Sequence, residues 1–176
     1  MIELRIHGRG GQGVVTLAEM LAQIALAAGK NAQTMPFFGV ERRGANVKTS
    51  VRLSDEPIKN RSQSTTPDVL VLMHANLFDA AMADGEHADA YFVISSTEPV
   101  QMQQKCWYFD GISIALENDL VVDGEPYVNI PMLGALCKVL DLPKELMIEQ
   151  ISKKWSDKRG LPNVRAATKA YETVTA

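Results

Sequence analysis

Gly8, Gly10 and Gly13 stand at G-x-G-x-x-G spacing, directly after an apolar run and directly before a long helical pattern. In a strand–turn–helix setting each glycine has a task. One permits a tight turn, one lets a ligand come close, and one lets helix and strand pack. Amides at the helix start then attract an anion. Gly8, Arg9, Gly10, Gly11, Gln12 and Gly13 are therefore candidate binding residues for a phosphate-bearing cofactor. A nicotinamide or flavin dinucleotide also calls for an acidic ribose-binding residue about 20 positions on. That region reads KNAQTMPF and holds no acid; the next is Glu41. Three readings remain: a 2′-phosphate site using Lys30 or Arg42, a turn that only packs the first helix, and an anion contact for some other cofactor.

The second stretch that could do chemistry is FFGVERRGANVKTS. Glu41, Arg42, Arg43 and Gly44 fall in a loop expected at the same sheet edge as the glycine turn, where open α/β sheets gather ligands. Two guanidinium groups could clamp a phosphate or carboxylate bidentately. The alternatives are a solvated charge cluster and an ion pair at a subunit contact. Phe37 and Phe38, adjacent in a loop, hint at an interface.

The elements that must position these loops follow from periodicity. Ile2–His7 reads as a strand. Val14, Leu17, Ala18, Leu21, Ile24, Ala25 and Ala28 recur at helical spacing, with Gly29 as the stop. Lys30–Met35 reads as a second strand. Val47, Thr49, Val51 and Leu53 alternate with polar residues, and Ser54-Asp55-Glu56-Pro57 reads as a turn into Ile58, which predicts an antiparallel hairpin element. PDVLVLM and AYFVISS read as strands buried on both faces, with KCWYFDG as a further short one. Helices are expected at ANLFDAAMA, Ile112–Glu117, 129–143, Lys144–Trp155 and Val164–Val174. The expected fold is α/β and Rossmann-like, a mainly parallel sheet flanked by helices with an antiparallel hairpin element, in a single domain over residues 1–176.

Composition narrows the function classes. The chain has 176 residues, 46% hydrophobic, with a net charge of −3. That favours one domain and gives no sign of nucleic-acid binding. Cys106 and Cys137 lie far apart. They support neither a zinc site nor an iron–sulfur cluster and read as small core residues. His7, His74 and His87 are scattered and read as structural or exposed. No metal site and no catalytic residue is expected on this chain. The N-terminus has no signal-peptide h-region and no stretch is long enough to span a membrane, so a cytoplasmic protein is expected.

Taken together, HGRGGQGVVTLAEMLAQIALAAGK, FFGVERRGANVKTSVRLSDEPI, PDVLVLM and NIPMLGALCKVL, in this order across residues 2–175, resemble the gamma subunit of the 2-oxoacid:ferredoxin oxidoreductases, with the pyruvate branch nearest. The resemblance implies a Rossmann-like domain that does not bind NAD. It implies oxidative decarboxylation of a 2-oxoacid to acyl-CoA and CO2, with ferredoxin as acceptor. Thiamine diphosphate, Mg and Fe–S clusters would sit on partner chains: alpha, beta and, where present, delta subunits. This chain would bind no cofactor alone and would be inactive alone. Parted from its partners, it would be open to homo-oligomerisation. Coenzyme A is the substrate that Gly8–Gly13 and Glu41–Gly44 would face. The segment Ser95–Asp110 departs from the family pattern. Two rivals stand beside this reading: a free-standing NAD(P)-binding oxidoreductase and a non-catalytic scaffold subunit.

Overall fold

The apolar alternation at Ile2, Leu4 and Ile6 forms β1 (Ile2–Arg9), and the 3.6-residue pattern after the glycines forms α1 (Val14–Ala27). The computed structural model describes residues 1–37, 44–60, 62, 65–84 and 89–176. α1 buries Val14, Leu17, Ala18, Leu21, Ile24 and Ala25 along one stripe. It ends at Gly29 as expected, with the Gly29 and Lys30 amides donating to the Leu26 and Ala25 carbonyls. β2 (Asn31–Pro36), β3 (Asn46–Ser54), β4 (Val69–Leu72), β5 (Tyr91–Ser95) and β6 (Cys106–Phe109) complete one sheet in the order β2-β3-β1-β4-β5-β6. β1, β4, β5 and β6 pair in parallel, while β3 runs antiparallel to both β1 and β2.

The antiparallel element is present, but its partners differ from those expected. Residues 57–60 form no strand after the Ser54–Pro57 turn. The reason is Arg52, whose guanidinium takes the carbonyls of Asn60 and Ser62 at 2.9 and 2.7 Å. Those carbonyls are committed to a side chain and do not build a ladder. β3 instead inserts between β1 and β2 and moves β2 to the sheet edge.

Register divides the β1–β3 ribbon into two faces. Leu4 and Ile6 lie opposite Val51 and Thr49, and this face meets α1. Glu3, Arg5 and His7 lie opposite Arg52, Ser50 and Lys48. This second face is buried yet polar. Arg52 is only 1% exposed and holds Glu3 Oε1 at 2.7 Å. Arg5 donates to the Asp84 carbonyl, and Lys48 pairs with the Asp84 carboxylate at 2.7 Å.

A 3-10 turn (Ala75–Leu77) leads into α2 (Phe78–Met82), whose Phe78 ring lies 5.8 Å from that of Phe92 on β5. α3 (Gly111–Glu117) opens on Asp110, whose carboxylate caps the Ser113 amide at 2.9 Å. A small ribbon follows, β7 (Val121–Val122) and β8 (Glu125–Pro126). α4 (Asn129–Val139) is buried on nearly every side because it lies among α1, α6 and β5. α5 (Lys144–Lys154) and α6 (Gly160–Thr173) close that layer. α6 begins four residues earlier than Val164. Pro162 sits in its first turn, where the missing N–H would have had no helical partner. One continuous apolar core runs through sheet and helices.

Candidate functional site

β1 ends at Arg9 and α1 begins at Val14, so the glycine turn spans the parallel-strand carboxyl edge of the sheet. The turn is held by its own groups. The Gln12 amide donates to the Arg9 carbonyl at 3.0 Å, and the Arg9 amide donates to Gln12 Oε1 at 2.8 Å. The Gly10 amide donates to the Ala45 carbonyl at 2.8 Å, and the Gly44 amide to the Gly10 carbonyl at 3.2 Å. The residues leading into β3 are thus sewn to the turn.

The spaces left by two glycines are filled by this polypeptide. A Cβ on Gly8 would strike Val14 and approach Met73. Gly13 caps α1 at φ 74°, and a Cβ there would collide with the Tyr127 hydroxyl and the Asn129 amide. Asn129, fully buried, makes no side-chain hydrogen bond among the described residues. Close approach at Gly13 therefore accommodates the start of α4.

The insertion of β3 also explains the missing ribose acid. With strands about 4.8 Å apart, the end of β2 lies roughly 10 Å from β1 rather than beside it. Lys30 is excluded as a 2′-phosphate ligand. It sits beyond the far end of α1, about 21 Å from the turn along a 14-residue helix. There it pairs with Asp55 at 2.7 Å.

The strand order reverses between β1 and β4, the switch point where such sheets open a crevice. His74 follows β4 at that point, and its Nε2 lies 2.9 Å from Gln12 Nε2. Burial, reinforced by the Arg9 charge, pushes the His74 pKa below its ordinary value, with Glu125 opposing. Beside the turn is a cavity of about 470 Å³. Arg9, Gly10, Gly11, Gln12 and Gly44 form one wall, and the β7–β8 ribbon forms the other through Asp123, Glu125 and Tyr127. Its volume lies within the range of small-ligand sites. α1 has no acidic residue in its first turn and no side-chain cap, so its positive end is left uncompensated.

Of the residues singled out by sequence, Arg9, Gly10, Gly11, Gln12 and Gly44 therefore share one cavity. Gly8 lies behind it as a packing position, while Gly13 packs against Tyr127 and also lines a smaller cavity of about 140 Å³ with Arg9, Gly10, Gly11 and the first turn of α1. Glu41, Arg42 and Arg43, with Phe38, fall outside the described residues, as does His87. Phe37 lies under the Lys48 ammonium, 4.7 Å from the ring centre. His7 is buried on the polar sheet face. His74 is half-buried and touches the turn itself through Gln12. Cys137 is buried and Cys106 half-buried; burial pushes both thiols up and both are free. Among the described residues no group of three or more His, Cys, Asp or Glu could hold a metal, and no helix is long and apolar enough to cross a membrane.

The β7–β8 wall escaped the sequence reading. Its signal was Asp123-Gly124 between Val121-Val122 and Glu125, a dipeptide suited to a two-residue hairpin loop. Both residues have positive φ, 53° and 85°.

Comparison with known proteins agrees with this geometry. Residues 3–173 match the family described as pyruvate ferredoxin/flavodoxin oxidoreductase. A pyruvate/ketoisovalerate oxidoreductases common subunit gamma from Pyrococcus furiosus is 41% identical over 182 residues, covering 98% of this chain and 96% of its own. A pyruvate synthase subunit PorC from Methanothermobacter marburgensis is 42% identical over 175 residues, covering 98% and 97%. The crystal structure of the pyruvate oxidoreductase subunit PORC from Thermotoga maritima superposes with a TM-score of 0.83 at 31% identity, covering 99% of this chain and 97% of that one. A turn closed on its own polypeptide, a sheet in which β3 displaces the ribose-binding strand, and matches along nearly the whole length lead to one conclusion: the chain belongs to the pyruvate ferredoxin/flavodoxin oxidoreductase family, as a gamma-type subunit of a multi-subunit oxidoreductase.

Proposed function

We propose that this chain, acting as one domain over residues 1–176, lines the coenzyme A side of a 2-oxoacid:ferredoxin oxidoreductase, with pyruvate as the substrate of the assembled enzyme. The observation that carries this reading is the cavity beside the glycine turn. One wall holds exposed Arg9 and backbone amides, and α1 points its uncapped positive end at the same edge. The Ala45 carbonyl takes the Gly10 amide and the Arg9 carbonyl takes the Gln12 amide, which leaves Gly11 for an anion in this cavity, while the first turn of α1 opens on the smaller cavity of about 140 Å³ beside it. The opposite wall carries Asp123 and Glu125, so a diphosphate is held to the turn side. Arg42 and Arg43 are proposed to complete the phosphate contacts, with Glu41 orienting them.

Thiamine diphosphate, with Mg, supplies carbanion chemistry from a partner chain, and Fe–S clusters on partners carry electrons to ferredoxin. This chain contributes binding, orientation and exclusion of water, and no covalent chemistry. The alpha and beta subunits, and delta where present, complete the cavity in the cytoplasm. β7 presents exposed Val121 and Val122, apolar side chains that a neighbouring subunit would cover.

The test is to isolate the native complex through a tag on the full chain and assay it for thiamine, iron and CoA-dependent pyruvate oxidation. The reading expects all three. It also expects the partner chains assembled without this subunit to lose CoA-dependent turnover. Full CoA-dependent turnover without it would leave a scaffold role only. Micromolar binding of NADH or NADPH by the isolated chain would favour the dehydrogenase reading instead.

A further inference from the structure

The contact between Gln12 and His74 fixes protons as well as positions. The Arg9 amide can only donate, so the Gln12 atom 2.8 Å away is the carbonyl oxygen Oε1. The other end of that side chain is therefore the NH2 group, and it lies 2.9 Å from His74 Nε2. A donor faces that nitrogen, so Nε2 must accept, which makes the ring neutral with its proton on Nδ1. We propose that His74 is a positioning residue: in this tautomer it holds the Gln12 side chain across the β1–β4 switch point and so fixes the glycine turn, and protonation of the ring releases it.

Protonation would place two donors 2.9 Å apart. The Gln12 amide could relieve this only by turning over. That would set its NH2 group against the Arg9 amide, another donor, so one of the two hydrogen bonds is lost whichever way it turns. Among the described residues, the charged groups acting on the ring are Arg9 at the end of β1 and Glu125 on β8. Arg9 and burial disfavour the imidazolium, while Glu125 favours it. The two charges come from the two walls of the cavity, so a ligand bound there alters the balance acting on His74.

The direction with pH follows. The folded chain binds the proton more weakly than an ordinary histidine. The turn is therefore fixed above about pH 6.5, and its stabilisation fades as pH falls from there through the lowered value.

NMR on the isotopically labelled full chain tests this, reading the His74 ring and the Arg9, Gly10 and Gln12 amides from about pH 8 to pH 5. The ring and the three amides are expected to share one inflection below 6.5. His74→Gln, which offers a neutral acceptor at the Nε2 position, should keep the neutral-pH amide shifts and lose the inflection. Gln12→Glu puts an acceptor-only carboxylate against the ring and should move the inflection above 6.5. Amides that do not follow the ring, or a Gln12→Glu inflection that stays where it was, would overturn the proposal.

The link to coenzyme A rests on the function proposed above and has its own readout. In the assembled complex, the KM for coenzyme A should rise roughly fivefold below the inflection, the equivalent of one hydrogen bond, and stay flat in His74→Gln. The pH dependence of kcat should be the same in both. If the NMR outcome holds and the KM does not follow it, the coenzyme A assignment falls and the His74 contact stands.

Discussion

Arg52 shows how a charged side chain can direct a fold. It is buried on the polar face of the sheet, paired with Glu3 and bonded to two carbonyls of the chain that leaves β3. Arg52→Met would leave the Glu3 carboxylate and both carbonyls without their partner. The expected loss is about 3–5 kcal/mol by denaturant unfolding; a loss under about 1 kcal/mol would show that solvent replaces the guanidinium. Asp84 gives an acid-side prediction. Burial alone would raise its pKa, but the Lys48 hydrogen bonds and the charges of Arg5, Lys48 and His7 outweigh that and lower it. Its stabilisation is present in full above about pH 3.8 and is lost as pH falls through the lowered value. Unfolding measured from pH 6 down to about pH 2 should show this loss, and Asp84→Asn should remove that part of the acid dependence. At Gly13, alanine adds left-handed strain to a collision with Tyr127. A loss of at least about 2 kcal/mol is expected. Tyr127→Phe should restore part of it by removing the hydroxyl.

Strand β3 is the element that separates this sheet from a dinucleotide-binding one. Its alternating pattern marked it as half-buried and antiparallel. Nothing in Val47–Leu53 could say whether it would pair with a following strand or slip between β1 and β2, because both pairings bury the same face. The deciding contacts belong to Arg52, an arginine whose burial is invisible in a polar sequence position. The β7–β8 hairpin was legible in principle through Asp123-Gly124, but its strands are two residues each, too short for an alternation to register. By contrast β1 and α1 follow directly from their periodicity, and the buried strands β4 and β5 from their continuous apolar runs. The location of β2 yields a sharp expectation. Installing the absent acid by Pro36→Asp should give no micromolar NADH binding, since β3 lies between that position and β1 and the cavity shared by Pro36 and the turn glycines is only about 140 Å³. Saturable fluorescence quenching by NADH in this variant would show that β3 is no barrier.

Across the whole molecule, apolar packing and chemistry are segregated. The helices α1, α4, α5 and α6 and the core hold one side, while the switch-point edge gathers Arg9, Gln12, Gly44 and the hairpin around an open cavity, with His74 in contact with Gln12. The glycine motif, read alone, points to a nucleotide gripped within one chain. In the folded chain two of its glycines are packed against the chain's own side chains, while Arg9, Gly10, Gly11 and Gln12 line an open cavity, as the proposed shared site requires. Sequence spacing identified the wall but could not show which glycines were already filled, because Tyr127 and Asn129 arrive from more than a hundred residues away. The KM for coenzyme A of the assembled complex carrying Arg9→Ala tests this account most directly. The account predicts a rise of about tenfold with the KM for the 2-oxoacid unchanged, the loss of one charge-assisted phosphate contact. An unchanged coenzyme A KM, or an equal rise for both substrates, would contradict it.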